Sequence, residues 1–291
     1  MTFQRRLRSL LLTLVAVALL AVAIFPMAWT VVSSLRAHRE IVANPLGMPA
    51  PPTWANYSDL LTHRLTESAG ERGHLALVTF YRNSIVASAV SLVVVLVTAS
   101  AAGYALARMR FAGRGLAFGL LMLGLMVPVH ATLLPLREMM LGLPDTPLRL
   151  VGPYVAFALP IGIFILRGFF AALPRELEEA ARIDGCGPWR TFWHVMLPTA
   201  WPALATVLIL NFVTMWNEFV FALTLLDEPD SATLPTGLVT LYRGEFTSDY
   251  GTLCATTAMT VLPLTIVFLV AQKKIVKGMT AGALVGTGVE A

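Results

Sequence analysis

Apolar positions in this chain come in blocks rather than in stripes. Long runs almost free of charge alternate with shorter polar segments. A helix of about 20 apolar residues crosses the hydrocarbon core of a bilayer. Six such runs can be marked, at roughly residues 10–32, 83–107, 116–136, 150–170, 200–225 and 253–271. Spanning segments must satisfy their own backbone polar groups. The pattern therefore predicts an all-α, polytopic membrane protein with six transmembrane helices. No internal repeat or domain boundary interrupts it, so residues 1–291 read as a single transmembrane domain.

Details within the runs refine this. The first follows Arg5, Arg6 and Arg8. A cleaved signal peptide competes for it, because Ala21-Val22-Ala23 looks like a cleavage site. The chain stays apolar through Trp29, which favours a retained span. The second run carries Ser84, Ser88, Ser91, Ser100 and Gly103, small residues that let helices approach closely in lipid. Pro128 and Pro135 are expected kinks in the third; Pro160 lies in the fourth and Pro263 in the sixth. Between the first two runs, Asn44 to Pro52 is too proline-rich for regular helix. Tyr57 to Leu65 reads as a short amphipathic interfacial helix, and His63 and His74 as solvated rather than metal ligands.

Composition agrees. The chain is 57% hydrophobic and 13% charged, against about 25% charged in soluble domains. Its mean hydropathy is +0.73 and its isoelectric point about 9.3. The net charge of +4 is spread over turns instead of gathered on one face, so no nucleic-acid partner is expected. With a cytoplasmic N-terminus, thirteen of the 21 Lys and Arg residues fall on the inner side and eight on the outer, as the positive-inside rule requires. Both termini are then cytoplasmic. Cys186 and Cys254 fall on opposite sides of the bilayer, which argues against a disulfide. No phosphate-cradling G-x-x-x-x-G-K-[ST] loop, catalytic triad or metal-ligand spacing is present, so no enzymatic or metal site is predicted.

An ion-coupled transporter usually shows ionisable groups inside its spans. Here the interior offers essentially Glu218. Either Trp216, Asn217 and Glu218 lie near a solute pathway, or Glu218 sits solvated at the outer surface. Asn211, deeper on the fifth run, would bond a solute hydroxyl or, preferably, a neighbouring helix.

The informative polar block is residues 171–198, between the fourth and fifth runs. Pro174 suits the first position of a short helix. Glu176, Glu178 and Glu179 crowd its positive end, Ala180, Ala181 and Ile183 form a small apolar patch, and Gly185 suits a left-handed stop. A second short helix runs from Trp189 to Leu197. On composition alone this is an ordinary loop. Its order is more specific: Glu179-Ala180-Ala181, three residues, Gly185, nine residues, then Val195-Met196-Leu197-Pro198. This resembles the signature loop of permease subunits of binding-protein-dependent ABC importers, with Val195 where isoleucine is commoner. Asp184-Gly185, Trp216-Asn217-Glu218 and the tail from Leu262-Pro263 through Gln272 to Gly278-Met279-Thr280-Ala281-Gly282 resemble the carbohydrate, maltose-permease-like branch. Phe25-Pro26, Arg82-Asn83-Ser84 and Phe170 to Glu176 extend the likeness over most of the chain.

The resemblance implies a non-enzymatic subunit in a bacterial-type cytoplasmic membrane, importing a sugar or oligosaccharide by alternating access. A second permease, a related but different chain, would complete the pathway. Two ATPase subunits carrying ATP and magnesium would dock beneath, and an extracytoplasmic solute-binding protein would deliver from above. Glu179, Ala180, Ala181, Asp184, Gly185, Leu197 and Pro198 would form the coupling loop. The outer loop from Asp227 to Gly251 would face the binding protein. At the extreme C-terminus, Leu284-Val285-Gly286 departs from the family's Val-Lys-Gly. The alternatives are import of a polyol or glycerol phosphate ester, an ion-coupled secondary transporter and a non-transporting scaffold or receptor.

Overall fold

The computed structural model describes residues 3–62, 75–243 and 249–286. His63, His74, the end of the 57–65 segment and residues 287–291 lie outside them. Every regular element among the described residues is helical. Helix α1 (Phe3–Ser33) runs through Pro26 without a break. Short helices α2 (His38–Ala43) and α3 (Ala55–Thr62) flank the proline-rich stretch. Helix α4 (Ala76–Arg108) starts well before the predicted 83, because Leu77 and Phe80 are buried and extend its apolar face.

The third predicted span is a bent pair. Helix α5 (Arg114–Leu123) continues as a 3-10 turn to Met126, and a second 3-10 turn leads into α6 (Leu133–Met140). The two halves meet at 91°. The break falls at Val127, whose extended backbone (ψ 119°) is what a following proline imposes. Pro135 makes no kink. It stands in the first turn of α6, where a missing N–H is no loss.

Helix α7 (Val151–Ala172) accommodates Pro160. Helix α8 (Glu176–Ile183) is followed by α9 (Pro188–Thr191), a π turn (Phe192–Met196) and α10 (Leu197–Thr199). A 72° bend then leads into α11 (Trp201–Trp216). The predicted fifth span stops there and resumes as α12 (Val220–Leu225). Helix α13 (Leu234–Arg243) lies in the predicted outer loop, and α14 (Tyr250–Gly286) closes the chain. Among the described residues, four helices are long and apolar enough to cross a membrane, or up to six if each bent pair is one span.

Contacts group the chain into two units, Met1–Val78 with Gly237–Pro263, and Thr79–Thr236 with Leu264–Ala291. The first is organised around Arg36, which is 2% exposed. Its guanidinium donates to the carbonyls of Glu40 and Asn44, at 2.8 and 2.6 Å, and so ties α2 and its exit to α1. Asn56 Nδ2 donates to the carbonyls of Ser34 and Arg36 and brings α3 to the same point.

The second unit has the apolar core, where Val95, Ala99, Leu166, Phe170 and Val207 of α4, α7 and α11 are buried. Small residues set the helix spacing. A Cβ on Gly103 would lie 3.0 Å from the backbone nitrogen of Arg167. Gly103→Val should therefore push α4 from α7 and cost ~1–3 kcal/mol of overpacking. A lowered thermal midpoint, with Gly115→Val as an unhindered control, checks this. At the start of α4, Asn83 Nδ2 donates to the carbonyls of Asp230 and Ala232, and Ser84 Oγ accepts from Leu234 N–H.

Candidate functional site

The predicted coupling loop forms a compact knuckle. Glu176, Glu178 and Glu179 occupy the first turn of α8 and Arg182 the last, each matched to the helix end it faces. Pro174 is not the first helical residue as expected; the cap is Arg175, and Pro174 stands just ahead of it. At the other end Gly185 has φ +79°. Its N–H donates to the Arg182 carbonyl and that of Cys186 to the Ala181 carbonyl, the paired bonds of a Schellman stop. The left-handed residue predicted at Gly185 is present.

The knuckle has an inner and an outer face. Ala181 is 5% exposed and packs inward, whereas Ile183 is 86% exposed. Glu179, Ala180, Asp184 and Gly185 are also exposed. The apolar patch expected of Ala180, Ala181 and Ile183 is thus split between the two faces, since neighbouring helical positions diverge by about 100°. Leu197 and Pro198 lie in α10, behind the π turn. The single short helix predicted from Trp189 to Leu197 is interrupted by that turn, because Pro198 has no N–H to give the carbonyl four residues back.

Two residues that sequence reasoning missed hold the inner face. Tyr104 Oη donates to Glu178 at 3.0 Å, while its ring packs edge-on against Phe170 and tilted against Phe192. Arg108 Nε donates to the Phe170 carbonyl at 2.8 Å, and the same guanidinium reaches the Leu173 carbonyl. The ends of α4, α7 and α8 are therefore cross-tied. Arg108 had a signal, a basic residue closing an apolar run, but its use as a tie across 62 positions had none.

The predicted pathway residues do not share one environment. Asn211 is 5% exposed, and its Nδ2 donates to Val207 of its own helix, not to a neighbouring one. Trp216 is buried against Tyr81 and Phe212. Asn217 is exposed, with Nδ2 bonded back to Val213. Glu218 is half-buried and bonded, not simply solvated. It accepts from Phe221 and Ala222 N–H at 2.7 and 3.2 Å and from Tyr154 Oη at 3.1 Å. It caps α12 across the break. Further along, Arg137 pairs with Asp227 at 2.7 Å, and Asp145 accepts from the N–H groups of Asp227 and Glu228.

The sequence pattern described as "Binding-protein-dependent transport system inner membrane component" matches residues 96–281. The diacetylchitobiose uptake system permease protein NgcG of Streptomyces coelicolor is 34% identical over 264 residues, 90% of this chain and 84% of its own. The arabinooligosaccharides transport system permease protein AraQ of Halalkalibacterium halodurans is 34% identical over 283 residues, 96% and 97% of the two chains. In fold, the chain is similar to a bacterial ABC transporter involved in import of the acidic polysaccharide alginate, with TM-score 0.79 and 22% identity over 94% of this chain and 98% of that one. The signature spacing, the braced knuckle that displays it and these full-length likenesses lead to one assignment: the chain belongs to the family of binding-protein-dependent transport system inner membrane components, the permeases of ABC importers.

Proposed function

We propose that this permease imports a sugar or oligosaccharide across the cytoplasmic membrane by alternating access, with the whole chain acting as one transmembrane domain. The observation that carries the coupling role is the outward display of Glu179, Ala180 and Asp184 on a helix locked at Gly185 and braced through Tyr104. A rigid knuckle transmits displacement where a loose loop would absorb it. Two ATPase subunits, holding ATP and magnesium, engage the knuckle of this chain and that of a second, related permease. An extracytoplasmic binding protein delivers the solute, and both termini face the cytoplasm. The carbohydrate relatives support the substrate class.

Purifying the tagged chain from its own host tests the assembly: an ATPase subunit is expected to copurify. Hydrolysis in the reconstituted complex should rise when the cognate binding protein is loaded with an oligosaccharide. A complex that hydrolyses ATP without response to any of a panel of neutral sugars, yet responds to a glycerol phosphate ester, would replace the sugar reading.

A further inference from the structure

Beside α8 lies an open cleft of about 1030 Å³, lined by the ends of α4 and α7, the turn after α4, and α8 itself. Five arginines and two glutamates line it, an excess of three positive charges. Arg108 and Arg114 already donate to backbone carbonyls. Arg110, Arg175 and Arg182 are exposed, and their side chains have no hydrogen-bond or ion-pair partner among the described residues. Glu178 is engaged by Tyr104, which leaves Glu179 as the only lining acid without a side-chain partner among the described residues.

The depth of this cleft is informative. It opens where two candidate spans stop, at Arg108 and Ala172. Arginines that close apolar runs reach for the headgroup level of a bilayer. Met109 and Phe111, 48% and 47% exposed, stand next to the arginines in the chain and line the same cleft. Guanidinium forks bind phosphate oxygens bidentately, and basic pockets at the ends of spans suit anionic headgroups. Arginines that outnumber the acids of their own cleft, and that make no ion pair among the described residues, are relieved by an anion.

We propose that this cleft binds the phosphate headgroup of an anionic phospholipid, with its acyl chains against Met109 and Phe111. The cleft shares α8 and Glu179 with the coupling loop, but the inference needs only its charge and depth and does not rest on ATPase docking.

The test uses the full chain in nanodiscs of phosphatidylcholine with or without phosphatidylglycerol. Phosphatidylglycerol is expected to raise the thermal midpoint and to remain bound in native mass spectrometry. The double variant Arg110→Gln, Arg175→Gln should lose roughly thirtyfold in phosphatidylglycerol retention. Arg39→Gln, an exposed arginine outside the cleft, should not. Equal retention by the double variant and the parent overturns the proposal. So does an equal midpoint shift from inorganic phosphate alone, which assigns the cleft to a free anion. Loss of ATPase copurification with lipid retention unchanged also overturns it, in favour of an acidic protein segment.

Discussion

Gly185→Val should abolish solute-stimulated ATP hydrolysis while membrane insertion and assembly of the spans stay intact. The reason is backbone strain alone. A Cβ at Gly185 meets nothing within 4 Å, but φ is +79°. A β-branched residue there is strained by ~1–3 kcal/mol, more than the few bonds of an eight-residue helix end can hold. The turn relaxes, the bonds from Gly185 and Cys186 N–H are lost, and α8 frays from its C-terminus. Gly185→Asn separates strain from contact, since asparagine tolerates the left-handed region. It should recover a large part of the stimulated rate. Glu179→Lys attacks the same coupling by charge, on an exposed residue of the outer face, and should leave the thermal midpoint unchanged while stimulation falls. Normal stimulation in both Gly185→Val and Glu179→Lys removes the coupling role of this knuckle.

Glu218→Leu should lower stability sharply, and the loss should precede any effect on solute. Its carboxylate is the acceptor for the Phe221 and Ala222 N–H groups and the Tyr154 hydroxyl. Each partly buried group left without a partner is worth ~1–3 kcal/mol. Helix α12 has only six residues and depends on that cap to restart after the break. Glu218→Gln keeps an amide oxygen for one N–H and should fall between parent and Leu variant. Tyr154→Phe, which removes one donor and orphans nothing, should be mild. Thermal midpoints in detergent, read beside transport, settle the role. Glu218→Gln that keeps the parent midpoint but loses transport would make Glu218 a solute-contacting group instead of a cap.

Much of the architecture was legible because it follows from short-range rules. A run of about 20 apolar residues has few options in a bilayer except a helix. Misreadings came where one residue redirects the backbone inside such a run. Both Pro128 and Pro135 interrupt the third run, yet only Pro128 breaks it; the distinction depends on where the next helix starts, which hydropathy does not encode. Asn211 was expected to reach outward and instead bonds back to Val207, the local partner always in range of a helical side chain.

By itself the sequence determined the apolar spans, the stop at Gly185 and the order of the signature loop, since each depends on neighbours within a few turns. Only the tertiary structure decided what Tyr104, Arg108 and Glu218 do. Their partners lie across separations of 74, 62 and 64 residues for Glu178, Phe170 and Tyr154. A polar side chain in an apolar setting takes whichever partner the packing brings within reach, and that proximity exists only once the helices have assembled.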